Sequence, residues 1–338
     1  MRRGWILQVI LIGLVTGGIA TAVAVIPNWL PRDASREEGR IVFVFWFVTA
    51  ICIAIFALVS AVIVFSVLHF RAPADDDSDG PPIHGHTGLE IAWTAVPTGL
   101  VLAIAVVSAV VLAKNGDAGS NPLRVDVTAQ QFAWSFKYPK QSNIVSGQLR
   151  LPLGRTVKLH LQSLDVIHSF WVPEFGQKQD AVPGLHPTLV ITPDRLGTYP
   201  VVCTELCGLG HALMRTEAIV MRPADFDAWA RQQGKALSGP PAQAGKAVFD
   251  SEGCGACHTL KAAGSTGKVG PDLDKLPAEA QQAGKPLEEF VRESIVNPNA
   301  YVAPGYPKNV MPPTFAQLPK PQLDALVQYL IQSSKGGS

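Results

Sequence analysis

Charge is scarce in this sequence. Only 16% of its 338 residues are Asp, Glu, Lys or Arg, 47% are hydrophobic, and the mean hydropathy is +0.20. Soluble domains carry about 25% charged residues, so a wholly water-soluble chain is excluded, and the same apolar excess excludes disorder. The net charge is only +1, which leaves no global basic field for nucleic acid. Cysteine is rare and odd in number, five in all, so a disulfide scaffold is excluded too. Internal repeats are absent.

The missing charge is missing in blocks. Residues 4–31, 41–70 and 91–113 contain no Asp, Glu, Lys or Arg. Each block exceeds the roughly 20 apolar residues that cross a bilayer as a helix. The second and third read as a transmembrane hairpin within 32–114. The first, residues 1–31, reads as a retained helix, with a signal peptide as the alternative. Arg2 and Arg3 precede it, and Ala20-Thr21-Ala22 and Ala22-Val23-Ala24 offer small-residue cleavage patterns, but the apolar run is longer than the 7–15 residues usual for a leader. Basic residues do not decide the orientation: Arg2, Arg3 and Arg71 balance Arg32, Arg36, Arg40 and Lys114. The loop over 72–90 is acidic, with Asp75, Asp76, Asp77 and Asp79.

After Lys114 the pattern changes. The runs LRVDVTA, FAWSFKY, TVKLHLQS, TLVITP, TYPVVC and TEAIVM are β-rich and separated by Pro, Gly, Asn and Asp. They predict an all-β antiparallel barrel or sandwich over 115–223. A helix is expected over 224–236, then a linker, Ser238-Gly-Pro-Pro-Ala-Gln, within 224–243. Residues 244–338 read as helical, broken by Pro-rich loops.

Two motifs carry chemistry. Cys254-Gly-Ala-Cys257-His258 is the attachment pattern of heme c. Two thiols add across the vinyl groups and the adjacent His becomes an axial iron ligand. A zinc site would need two further ligands, and this segment has no other Cys or His. Met311 is the one methionine of the segment and the candidate second axial ligand; Met221, which closes the β-rich region, is its rival. Gly270-Pro271 offers a backbone partner for the free ring N–H of His258.

The second motif is Cys203-Thr-Glu205-Leu-Cys207-Gly-Leu-Gly-His211-Ala-Leu-Met214, with His168 upstream in Asp165-Val-Ile-His168-Ser-Phe-Trp171-Val-Pro. Two Cys, two His and a Met form a soft donor set suited to copper. One Cys with two His would make a mononuclear blue site, whereas two Cys allow both sulfurs to bridge a metal pair. Cys2His2 is also a zinc set. The extra Met214 and the neighbouring heme motif favour a redox metal.

The last segment resembles a class I cytochrome c. From about residue 40 onward the chain resembles subunit II of heme–copper cytochrome c oxidases, in the class with a fused C-terminal cytochrome c domain. The resemblance implies a multidomain membrane protein: transmembrane α-helices, an all-β cupredoxin Greek-key barrel and an all-α cytochrome c domain. It implies a binuclear copper centre, CuA, with His168, Cys203, Cys207, His211 and Met214 as side-chain ligands and Glu205 as a backbone-carbonyl ligand. It also implies that the Glu205 carboxylate reaches a Mg or Mn ion shared with subunit I. Cys254 and Cys257 bind heme c covalently, with His258 and Met311 axial. Glu90, in Glu90-Ile-Ala-Trp93, matches a residue at the mouth of a proton path, although a carboxylate at a helix start also suits the helix dipole. Phe132 and Trp134 match the aromatic strand of the electron path. Phe132 stands where many members have Trp, and Ala133 and Lys137 replace an aromatic and an acid, so the usual docking surface for soluble cytochrome c is altered.

The implied function is electron transfer from heme c through CuA to heme a of subunit I, where oxygen is reduced to water with proton translocation. The implied partners are subunits I and III, an upstream cytochrome bc complex or other cytochrome donor, and membrane lipid, with no nucleic acid. The implied place is a bacterial cell membrane, multi-pass, with the copper and heme domains extracytoplasmic. The alternative is a membrane-anchored copper/heme carrier or assembly factor without a permanent oxidase partner.

Overall fold

The structure, a computed structural model, describes residues 2–71, 75, 80, 82, 84–237, 239–311, 315–316 and 318–335. Asp76, Asp77 and Asp79 of the acidic loop, Ser238 of the expected linker, and Pro312 and Pro313 after Met311 lie outside the described residues. Two units are distinguished: Met1–Arg32 with Gly39–Asn115, and Asp33–Glu38 with Gly116–Ser338.

The first unit is helical: α1 (Arg2–Val25), α2 (Arg36–His69) and α3 (Thr87–Gly116). All three are long and apolar enough to cross a membrane. Side chains apolar on every face leave no polar stripe for water, and in hydrocarbon a helix pairs its own backbone groups. Small residues let α1 and α2 approach closely. A Cβ on Gly17 would sit 3.2 Å from the Ala57 methyl, and one on Gly13 would sit 3.6 Å from that of Ala61. Arg40 donates to the Lys114 carbonyl (3.2 Å) and to Asn115 Oδ1 (3.1 Å), joining the start of α2 to the end of α3.

The second unit begins with a β-sandwich. One sheet runs β3-β2-β1-β5-β8 and the other β4-β10-β9-β6-β7. The strands are β1 (Leu123–Gln130), β2 (Ala133–Tyr138), β3 (Ile144–Ser146), β4 (Leu149–Pro152), β5 (Val157–Ser163), β6 (His168–Trp171), β7 (Lys178–Ala181), β8 (Thr188–Ile191), β9 (Gly197–Cys203) and β10 (Arg215–Met221). Alternation explains the core: Val157, Leu159 and Leu161 of β5 turn inward against Val125, Val127, Phe136 and Phe170. The sheets are mixed, which corrects the antiparallel expectation: β1 pairs with β5 and β10 with β4 in parallel. Connections that cross between sheets return these strands beside non-neighbours, and only such crossings yield parallel pairs.

Residues just before and at the start of α2 are held by this sandwich. Ala34 N–H donates to the Glu174 carbonyl (2.9 Å), its carbonyl accepts from Asp194 N–H (3.1 Å), and Glu37 accepts from Thr192 N–H (2.7 Å). At the other end, α4 (Pro223–Leu237) drops Phe226 into the sandwich core. Trp229 stands edge-on to Tyr138 at 5.2 Å, with the Arg150 guanidinium 5.3 Å from its ring.

A helical domain follows: α5 (Pro241–Ser251), α6 (Cys254–Cys257), a short hairpin β11 (Thr259–Leu260) and β12 (Ser265–Thr266), then α7 (Leu276–Gln282), α8 (Leu287–Val296) and α9 (Lys320–Lys335). Helix α5 starts inside the stretch read as linker, because Pro at a first helical position costs nothing. Phe249, Phe290, Val291, Val327 and Leu330 form the core. The crossing of α5 and α9 needs Gly245, where a Cβ would fall 2.1 Å from the Ala325 carbonyl oxygen.

Candidate functional site

Sandwich topology brings the sulfur and imidazole donors to one end. His168 opens β6, Cys203 closes β9, and the loop from Cys203 to Met214 leads into β10. Phe170 pairs with Cys203 across β6 and β9, and Cys203 N–H donates to the Met214 carbonyl at 3.2 Å, so the ladder itself closes the loop.

The two Sγ atoms lie 3.9 Å apart. Each faces an imidazole: Cys203 Sγ is 3.9 Å from His168 Nδ1, and Cys207 Sγ is 3.5 Å from His211 Nδ1. Met214 Sδ is 3.8 Å from Cys207 Sγ, and the Glu205 carbonyl oxygen is 3.2 Å from Cys203 Sγ. His168, Cys203, Cys207 and Met214 are buried, His211 is half-buried, and the Glu205 side chain is exposed. His168, Cys203 and Cys207 form a group of metal-type side chains within mutual reach.

The two buried thiols are shifted in opposite directions. Burial pushes both thiols up. The hydrogen bond with His168 and backbone contacts at Ser169 and Glu205 outweigh this for Cys203, which sits at about 6. Burial and the charge on Cys203 drive Cys207 up to about 12. Burial also lowers His168, but its bonds to Cys203 and Asp165 raise it by more.

The structure gives Asp165, three residues before His168, a role. Its Oδ1 lies 2.8 Å from His168 Nε2, so Nδ1 is the nitrogen turned to the sulfurs. Asp165 also accepts from the backbone N–H groups of Gln131 (2.6 Å) and Val166 (2.7 Å). Such a carboxylate fixes tautomer and ring orientation of a ligating His. The signal in the sequence was an Asp three residues before the His.

The expected aromatics frame the same loop. Trp134 is buried, with its ring centroid 6.2 Å from that of His168. Phe132 lies on the loop backbone: a Cβ on Gly210 would be 2.5 Å from its ring, and one on Gly208 3.3 Å.

The donor set fits a copper pair. Six donors exceed the four of a tetrahedral zinc site, and each sulfur has its own imidazole, as two bridged ions require. When bound, such a pair supplies one-electron redox chemistry between soft thiolates.

The second cluster is built on α6. Its single turn is closed by His258 N–H donating to the Cys254 carbonyl (3.0 Å), so Cys254, Cys257 and His258 share one turn. His258 Nδ1 pairs with the Pro271 carbonyl at 2.8 Å, leaving Nε2 available to iron. Gly270 makes this approach possible, since a Cβ there would sit 2.4 Å from the ring. Burial depresses the His258 pKa, keeping the imidazole neutral as a ligand must be. These residues fit heme c. Met311 is half-buried in the loop between α8 and α9.

Glu90 is in the first turn of α3, where its Oε1 accepts from His86 N–H at 3.2 Å. It therefore caps the helix start.

Three family models match the chain: the transmembrane domain of cytochrome c oxidase subunit II over residues 28–111, the periplasmic domain of the same subunit over residues 144–222, and cytochrome c over residues 242–334. Cytochrome c oxidase subunit 2 of Synechocystis sp. is 33% identical over 270 residues, covering 64% of this chain and 81% of its own. That of Thermostichus vulcanus is 36% identical over 265 residues, covering 63% and 80%. That of Alkalihalophilus pseudofirmus is 29% identical over 319 residues, covering 90% of each. The match to the transmembrane model begins after α1.

Proposed function

We propose that this chain, which belongs to the cytochrome c oxidase subunit II family, is the electron-receiving subunit of a heme–copper oxidase whose own heme c domain feeds its copper site. As the family implies, it is part of an oxidoreductase complex with subunit I, with a c-type heme and CuA as cofactors. In the proposed route, electrons from a cytochrome bc complex or other cytochrome donor reach heme c, pass to CuA and leave for heme a of subunit I. Oxygen reduction and proton translocation belong to subunit I, and subunit III completes the assembly.

The chain's own residues bind and orient. His168, Cys203, Cys207, His211, Met214 and the Glu205 carbonyl hold CuA. Asp165 fixes the His168 ring, and Trp134 and Phe132 exclude water from the loop. Cys254 and Cys257 would anchor the heme, with His258 and Met311 as its iron ligands. The exposed Glu205 carboxylate is free to meet a Mg or Mn ion shared with subunit I, and Glu90 is placed at a proton-path mouth. Covalent heme attachment occurs outside the cytoplasm, so residues after Lys114 are assigned to the extracytoplasmic side of a bacterial membrane and the loop between α2 and α3 to the cytoplasmic side.

The observation that supports this reading most is the pairing of each buried sulfur with its own imidazole Nδ1. EPR of the purified oxidase tests it. Hyperfine structure shared over two copper nuclei is expected alongside a c-type heme band, and Cys207→Ser is expected to abolish the shared pattern. Met214→Leu, which removes only the weak thioether, is expected to retain copper with an altered potential. An unchanged CuA spectrum in Cys207→Ser would refute the ligand assignment. Co-elution of a heme a subunit separates the oxidase reading from that of a free-standing carrier.

A further inference from the structure

We propose that electrons pass from the helical domain to the copper site through a glycine-on-glycine seat, from Gly253 to the Gly147 carbonyl, the Thr216 hydroxyl and Met214. This rests on the function proposed above and adds the docking pose and the route.

Gly253 immediately precedes Cys254, the first heme-anchoring residue, and takes the left-handed conformation (φ 70°). Gly147 lies between β3 and β4 on the sandwich. A Cβ on Gly147 would fall 2.9 Å from Gly253 Cα, 3.3 Å from Gly253 N and 3.8 Å from the Ser251 carbonyl oxygen. The two backbones therefore touch with no side chain between them. Gly147 does not have a left-handed φ, so the crowding that demands glycine there comes from the seated helical domain.

The next link leads to the metal site. Thr216 Oγ1 donates to the Gly147 carbonyl at 2.6 Å. Thr216 is the second residue of β10 and follows Met214 by two positions, and the parallel register of Ala218 with Leu149 holds β10 beside the Gly147 turn. Met214 Sδ lies 3.8 Å from Cys207 Sγ. Electronic coupling decays faster across van der Waals gaps than along bonds and hydrogen bonds, so a path with one gap, at the glycine pair, is well coupled. One electron passes per event, from a ferrous heme c to the oxidised copper pair, with no atom or proton transferred.

The pose leaves another face open. Leu206, Leu209 and Leu213 on the copper loop are 79%, 101% and 60% exposed, so the helical domain does not cover that rim. A route through the rim is the competing arrangement.

In the assembled oxidase, a photoexcited ruthenium complex injects one electron at heme c, and transient absorbance of heme c and CuA gives the transfer rate. Gly147→Val is expected to slow this step by an order of magnitude or more, with the CuA EPR signal and heme c spectrum unchanged and faster proteolysis between α4 and α5. Thr216→Val, which removes the hydroxyl and keeps the shape, is expected to slow the step with the domain still seated and both midpoint potentials unchanged. Gly234→Ala, where a Cβ meets only ordinary contact with Ser142, is expected to change nothing. A wild-type rate in either the Gly147 or the Thr216 variant overturns the route, as does a loss seen only with Leu209→Asp. If Gly147→Val fails to assemble, Thr216→Val decides alone. Spectra recorded before the flash separate the two claims: a missing CuA or heme c signal in the unmodified oxidase refutes the proposed function, whereas the rates refute only the route.

Discussion

At the metal site, Asp165 decides which nitrogen of His168 faces sulfur. Its carboxylate takes Nε2 and is held by two backbone N–H groups, so the imidazole cannot rotate without breaking a supported contact. Asp165→Asn is expected to retain the copper pair with a changed hyperfine pattern and about 10–100-fold weaker copper retention; copper titration into the depleted oxidase reads this, and unchanged retention would deny Asp165 its role. Gly270 plays the matching part for the heme. A methyl group there would meet the His258 ring at backbone-defined distance, so Gly270→Ala is expected to weaken or lose the low-spin heme c band with CuA intact, as an optical spectrum would report. The candidate donors were legible as a soft set, Cys203, Cys207, His211 and Met214 within a dozen residues and His168 upstream, while their assignment as ligands comes from the resemblance. Asp165 was not, since a carboxylate near a histidine is common and only the folded β5–β6 turn aims it.

At the scale of elements, the long periodic segments were legible and the short ones were not. The three apolar helices and the strands β1, β2, β5, β8, β9 and β10 coincide with runs of clear pattern. Strands β3, β4, β6 and β7 have three or four residues each, too few for alternation to show; β8 is as short and was found by its β-rich run before Pro193 instead. The parallel pairs escaped for another reason: partnership across crossing connections leaves no local trace. Helix α4 was seen as a helix but not as part of the sandwich. Phe226 makes it so, since its ring is fully buried among sandwich residues. Phe226→Ala is expected to cost about 3–5 kcal/mol, seen as a lowered denaturation midpoint of the CuA absorbance. A midpoint within experimental scatter of the unmodified protein would show that α4 is not anchored there.

Across the whole molecule, the heme-bearing domain and the copper site belong to one chain and one compact unit. A tethered donor acts at an effective concentration of the order of millimolar, which removes the need for a free carrier to be captured by charge. The composition agrees: residues 115–237 show no acidic excess, and Ala133 and Lys137 replace the aromatic and acidic character expected of a docking surface for basic cytochrome c. Because α4 is anchored by Phe226, cutting the chain after Leu237 removes the heme domain and leaves the sandwich whole. The decisive measurement is turnover of that truncated oxidase. The account predicts that CuA and heme a remain assembled, that turnover with the native respiratory donor is greatly slowed, and that added basic soluble cytochrome c restores it poorly. Full turnover at ordinary cytochrome c concentrations would contradict it, by showing that the copper domain has a competent docking surface of its own.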